Sequence, residues 1–259
     1  MKRLVLSSLC VLSPLVQAAE EKKFSADLEL GIISTSGNTE TNSLKGKMQI
    51  KQNLEKFRNN FIANAFYKED QVETEENDET VITNQVTAEK YFFSAQSDYK
   101  LNKKHRGLFI YGSYEQDEFS GYEYQATVSL GYSDRLFNFD RSHLDYSVGP
   151  GISFRETEDT IDDNGVLIEG EETQSAVVRI ALEYLYQISD NAKFTQSLAS
   201  EVSVDQEENT KTKSETALTA NITSGFALKA SFIVDQNTHV PEDKKHADTQ
   251  TALTFVYSF

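Results

Sequence analysis

The chain contains no tryptophan, only three prolines and a single cysteine, and none of its apolar runs is long enough for a membrane-spanning helix. Such a helix needs about 20 consecutive apolar residues, so a helical membrane protein is excluded. Cys10 lies inside an N-terminal segment that reads as an export signal, and its removal leaves a mature chain without disulfides or thiolate chemistry. Basic residues are scarce as well, with 25 Lys and Arg against 41 Asp and Glu. Phosphate binding requires a basic stripe, which excludes nucleic acid as a partner.

What is present points to export and then to a sheet. Lys2 and Arg3 precede a mostly apolar stretch from Leu4 to Val16, and Val16-Gln17-Ala18 supplies small residues for cleavage. This pattern predicts a signal peptide over 1–18 and a mature domain over 19–259. Loss of Lys2 and Arg3 leaves 23 basic residues and a mature net charge of −18. Aromatic residues are abundant, 12 Tyr and 16 Phe, yet the mean hydropathy is distinctly polar. A membrane barrel reconciles the two, because half of each strand faces lipid and half faces a polar interior.

Period-two alternation recurs along the whole mature chain. Phe24, Ala26, Leu28, Leu30 and Ile32 share one face of a first strand, with Ser25, Asp27, Glu29 and Gly31 on the other. Similar stripes start at Leu44, Tyr124, Leu144, Ala176, Phe194, Leu218 and Leu228. The final stripe runs Leu253, Phe255, Tyr257, Phe259, opposed by Thr254, Val256 and Ser258. Three segments, near Asn60 to Lys68, Thr83 to Leu101 and Leu108 to Glu115, are strand-like without a clear facing. The sum is twelve, an even number that suits an all-β, antiparallel up-and-down transmembrane barrel in the outer membrane with both ends in the periplasm.

Link lengths sort consistently with this topology. Short links fall near Asn53 to Lys56, Asn102 to His105, Ser133 to Asp140, Ser189 to Ala192 and Thr223 to Gly225, and are expected to be periplasmic. Long ones, Glu69 to Ile82, Glu156 to Glu172 and Gln236 to Asp248, are expected outside. Tyr184, Tyr186, Phe194, Tyr257 and Phe259 read as part of a periplasmic aromatic ring. The competing architecture is a water-soluble sandwich or lipocalin-like barrel, in which the same alternation faces a core. Outer-membrane lipids are the expected surroundings, with a monomeric barrel inserted by the outer-membrane assembly machinery through the strand ending at Phe259.

At the first hairpin, Gly31-Ile32-Ile33-Ser34-Thr35-Ser36-Gly37-Asn38-Thr39-Glu40 resembles the opening motif of the YdiY-like salt-induced outer-membrane proteins, the family of domain of unknown function 481. Asp98-Tyr99-Lys100-Leu101, then Tyr111-Gly112-Ser113-Tyr114-Glu115 and Asp117, is similar to the family's middle section, and Gly149, Gly151 and Phe259 agree. The resemblance implies an outer-membrane location and a link to ionic stress. It carries no catalytic residue and no cofactor. Physically, Gly37-Asn38 reads as a hairpin turn, with Ser36 and Thr39 positioned to bond the local backbone. Gly149 and Gly151 read either as space beside Asp145 and Arg155 or as a bend in the sheet.

Charged residues on polar faces are the candidate site. Asp27 and Glu29 lie across the first hairpin from Lys45, Lys47 and Lys51, and Arg179 is placed near Glu201 across the Ser189 to Ala192 turn. These pairs either steer ions through a wet lumen or fill a narrow one. Carboxylates crowd two outer loops, and Asp162, Asn164 and Glu171 are spaced like ligands of a calcium loop, although Thr160 occupies the first ligand position. A closed barrel whose acidic loops bind divalent cations or an envelope partner is therefore the second reading. An esterase or phospholipase is third, since His143 is preceded by Ser142 without a convincing triad. The expectation is a protein that is not an enzyme.

Overall fold

The computed structural model describes residues 23–35, 41–76, 79–102, 105–117, 120–161, 167–205, 207–240 and 245–259. The signal segment 1–18 and the Ser36-Gly37-Asn38-Thr39 turn lie outside these residues. The strands are β1 (Phe24–Thr35), β2 (Thr41–Asn53), β3 (Phe57–Glu76), β4 (Glu79–Lys100), β5 (Gly107–Asp117), β6 (Tyr122–Asn138), β7 (Ser142–Thr157), β8 (Thr160–Ile161), β9 (Leu167–Ile168), β10 (Glu172–Ser189), β11 (Ala192–Ser203), β12 (Lys211–Thr223), β13 (Phe226–Asn237) and β14 (Ala247–Ser258). Twelve of them close into one antiparallel barrel in which sequence neighbours pair and β14 returns to β1. β8 and β9 form a separate ribbon in the link between β7 and β10.

Alternation sorts the side chains as a bilayer demands and as water would not. Leu130, Ile110 and Phe255 project outward and are 63%, 60% and 64% exposed, while their neighbours Ser129 and Thr254 point inward at 1%. A soluble barrel would bury the leucine and wet the serine, so the sandwich and lipocalin alternatives fail. Exposed aliphatic surface on this scale is stable only against hydrocarbon. At the end of the barrel with the short turns, aromatic rings cluster outside: Tyr184 packs on Phe137 and Phe194, and Tyr257 on Phe226 and Phe259. That is the expected ring, extended by Phe137 and Phe226.

The closing seam is brief. β1 and β14 pair over four residues, Asp27↔Ser258 to Leu30↔Phe255, and Phe259 adds a backbone bond to the Ala26 carbonyl at 2.9 Å. Elsewhere β6 and β7 approach unusually closely at Gly131 and Gly149. A methyl group on Gly149 would stand 2.0 Å from the Leu130 carbonyl oxygen and 2.6 Å from the Gly131 Cα. Gly149 thus serves backbone approach rather than room for charged side chains. The tight turn after β12 is made by Gly225, whose φ of +102° is open to glycine and strained for other residues.

Two link assignments need correction, and a third, Gln236 to Asp248, stands as a long link. Glu69 to Ile82 is no loop for most of its length, because β3 and β4 continue as a paired ladder to Glu76↔Glu79 with a register shift after Lys68. Val72, Thr74, Thr80, Val81 and Ile82 are β-branched and favour the extended chain despite the surrounding carboxylates. Ser133 to Asp140 is mostly strand as well, since β6 runs on to Asn138 and the turn is closed by a Phe139 N–H to Ser142 carbonyl bond of 2.8 Å. At Gln236 to Asp248 the strands reach Asn237 and resume at Ala247.

Candidate functional site

The interior of the barrel is the site, and its walls are built by the inward parity of each strand. In β1 and β2, Glu29 is the register partner of Lys47, and Asp27 of Gln49. Closure of the cylinder brings other partners nearer. Lys229 on β13 donates to both carboxylate oxygens of Glu29, at 2.9 and 3.0 Å, and lies 2.6 Å from Glu215 Oε1. Lys47 completes the chain with a 3.2 Å bond to Glu215 Oε2 on β12. Glu29, Lys229, Glu215 and Lys47 therefore alternate in sign around one wall of the lumen.

A second layer crosses the lumen nearer the long loops. Lys90 on β4 contacts Glu115 and Asp117 at 3.2 Å and Asp235 at 3.3 Å. Lys211 on β12 reaches Glu115 on β5 at 2.5 Å, and Lys213 lies 3.4 Å from Asp235. β5 and β12 are separated by four strands in the sheet order, so this contact spans the interior. Ion pairs of this kind hold only where a lysine side chain is long enough to bridge the cylinder, which makes this level a constriction.

The expected pairings fare unevenly. Lys51 bonds Glu183 on β10 at 3.3 Å, across the barrel and not across its hairpin. Lys45 donates to Gln250 at 3.2 Å, and Asp27 accepts from Ser258 at 2.5 Å. Arg179 and Glu201 are direct register partners, yet they form no ion pair: Glu201 accepts from Thr127 Oγ1 at 2.7 Å. Register set by the hairpin gave the faces correctly; the contacts were decided by barrel width and strand stagger, which hairpins do not encode. Lys229, Glu215, Lys90, Glu115, Lys211 and Asp235 escaped the sequence reading. Lys229 did carry a signal, as a charge on the inward parity between outward Leu228 and Ala230.

Towards the short turns the lumen holds a chamber of about 610 Å³. Its wall carries six basic side chains, Lys47, Lys51, Arg58, Arg135, Arg179 and Lys213, against five acidic ones, Asp98, Asp134, Asp145, Glu183 and Glu215. The chamber is thus close to neutral in a strongly acidic protein. Arg135 grips Asp145 with two bonds of 2.6 and 2.9 Å, and Ser133 donates to Asp98. His143 Nε2 stands 3.7 Å from the same Asp145 carboxylate.

At the opposite end of the barrel a loop packs against inward-facing side chains. The link between β11 and β12 bends inward, and Asn209 is 3% exposed. Arg155 on β7 holds it with a 2.9 Å bond to the Asn209 carbonyl and a 2.5 Å bond to Glu208, and also reaches Ser175 at 2.9 Å. The Asn209 side chain accepts the backbone N–H of Thr238 and of His239, and Tyr122 donates to the His239 carbonyl at 2.8 Å. Periodicity could not reveal this latch, because it depends on a loop folding back. Replacing Arg155 by Gln removes a buried charge-assisted anchor, each bond of which contributes roughly 1.5 to 3 kcal/mol. Cleavage after Glu207 or Glu208 of the folded barrel by a glutamate-specific protease is expected to accelerate by about tenfold or more; an unchanged rate would mean that Arg155 does not hold the loop.

The calcium-like spacing falls largely on undescribed positions. Asp162 and Asn164 lie outside the described residues, and Glu171 is exposed with its backbone N–H bonded to Thr157 Oγ1 at 2.9 Å. Nearby, Asp159 accepts the Gly170 N–H at 2.7 Å, so this carboxylate is used by the loop itself. Among the described residues no three His, Cys, Asp or Glu side chains converge as metal ligands would.

Comparison with known proteins agrees with this architecture. Residues 28–259 match the family model described as protein of unknown function, DUF481. The uncharacterized protein YdiY of Escherichia coli (strain K12) is 30% identical over 242 residues, covering 93% of this chain and 85% of that one. Among solved structures, the translocator domain of the autotransporter NalP from Neisseria meningitidis superposes with a TM-score of 0.50 at 9% identity, over 90% of this chain and 86% of that chain. The COG4313 outer membrane channel from Pseudomonas putida F1 gives 0.49 at 11% identity, over 91% and 94%. The fold is that of an outer-membrane β-barrel.

Proposed function

The chain belongs to the family described as protein of unknown function, DUF481, and from that premise we propose that this outer-membrane barrel is a narrow, monomeric, non-catalytic channel for small ions and solutes. The observation that supports the reading best is an interior lined by alternating, part-buried ion pairs above a polar chamber. A barrel needed only as an envelope strut would be filled at lower desolvation cost by neutral side chains. A succession of opposed charges instead gives a passing ion exchangeable partners at each level.

Two further parts of the proposal follow the same physics. The exposed tie between Lys51 and Glu183 loosens as salt screens it, which is how the link to ionic stress enters. Alternating Leu253, Phe255 and Tyr257, with Phe259 after them, give the assembly machinery an apolar strand face to recognise. The inward-held link between β11 and β12 favours a second reading, a closed barrel that serves the envelope through its acidic loops.

Planar bilayers separate the two. The purified barrel is expected to show reproducible unitary currents in potassium chloride, rising more steeply than bulk conductivity between about 0.1 and 1 M, where the Debye length falls from about 10 to about 3 Å and the exposed ties loosen. Silence across salt and voltage would remove the channel. Absence of turnover with aryl-ester substrates is the matching check on catalysis at His143.

A further inference from the structure

We infer that the chamber binds a small monocarboxylate with an apolar body, held by the guanidinium of Arg179, an inference that deepens the channel reading and rests on it for the ligand's entry. Arg179 is 6% exposed at the middle of β10 and lines the chamber. Its Nη1 donates to Ser147 Oγ at 3.3 Å, its guanidinium carbon lies 3.6 Å above the Tyr111 ring, and its Nε is buried without a partner. The other five cations of the wall, Lys47, Lys51, Arg58, Arg135 and Lys213, each have a carboxylate within 3.8 Å. Arg179 has none among the described residues, since Glu201 has turned to Thr127.

A buried cation without a counter-ion is unfavourable, and a soluble anion corrects it. The chemistry of the wall selects which anion. A guanidinium fixed on one edge by Ser147 and on one face by Tyr111 presents a planar fork that matches a carboxylate. One excess positive charge, six against five, is neutralised by a single negative one. Ile62, Phe92 and Tyr111 supply apolar surface on the same wall, and about 610 Å³ suits a molecule of that class.

The test is a calorimetric titration of the full mature barrel, folded in detergent micelles, with sodium benzoate. Saturable binding is expected, weakened by about tenfold or more in Arg179→Gln and less in Ser147→Ala, while benzyl alcohol, the same ring without the charge, gives only dilution heats. Absence of benzoate binding, an isotherm unchanged by Arg179→Gln, or equal heats from benzyl alcohol would overturn the site. Heat-modifiable gel migration shows which variants have folded; if Arg179→Gln has not, the comparison of benzoate with benzyl alcohol on the native chain decides alone. The titration needs no current, so benzoate binding in a barrel that is silent in bilayers would leave this site in place and remove the channel, whereas currents without benzoate binding would do the reverse.

Discussion

Arginine in place of Leu130 is expected to destabilise the folded barrel in lipid by about 2 to 4 kcal/mol. Leu130 pairs with outward-facing Ile110 on β5, sits near the centre of β6, and is 63% exposed in a surface whose only suitable solvent is hydrocarbon. A guanidinium there must be dragged to a headgroup or held in the bilayer core, and the cost is greatest near the midplane. Ala199→Arg is the control, because Ala199 lines the polar chamber and is expected to lose much less. Ser147 would be a poor control: it is buried beside Arg179, and a second guanidinium would meet the first. Urea unfolding in lipid vesicles measures both variants, and equal losses would contradict the assignment of faces.

Lys229→Met should be the most damaging substitution inside the barrel, at about 3 to 5 kcal/mol in the same assay. Lys229 joins Glu29 and Glu215 at 2.6 to 3.0 Å, and the three side chains are 10%, 10% and 16% exposed. Its removal leaves Glu29 without its ion-pair partner and places two carboxylates in the same wall with Lys47 alone. Adding Glu29→Gln to Lys229→Met should recover a substantial part of the loss, since the stranded charge is then gone. A double variant as unstable as the single one would mean that packing, and not charge, sets the cost.

How far the sequence reveals this molecule differs from strand to strand. In β1, β6, β10 and β14 one parity is consistently apolar, so the facing of these strands could be read directly. β3, β4 and β5 resisted because Ile62, Phe92, Phe109 and Tyr111 are apolar or aromatic yet face the interior. Their burial comes from neighbours across the lumen. For the same reason the candidate site was half legible. Glu29, Lys47, Lys51 and Arg179 do line the lumen, but their partners lie on distant strands that meet only once the sheet has closed. The long β3–β4 ladder was hidden by carboxylates that imitate loop composition, and the Arg155 latch left no periodic trace.

The central claim is that successive side chains of each strand face hydrocarbon and a wet lumen in turn. Spin labels placed one at a time on β10 from Ala176 to Glu183, in vesicles, test it most directly by collision with oxygen and with a polar nickel chelate. Oxygen is expected to dominate at Ala176, Val178, Ile180 and Leu182, and the chelate at Ala181 and Glu183. A flat profile, or one with the two parities exchanged, would contradict the account.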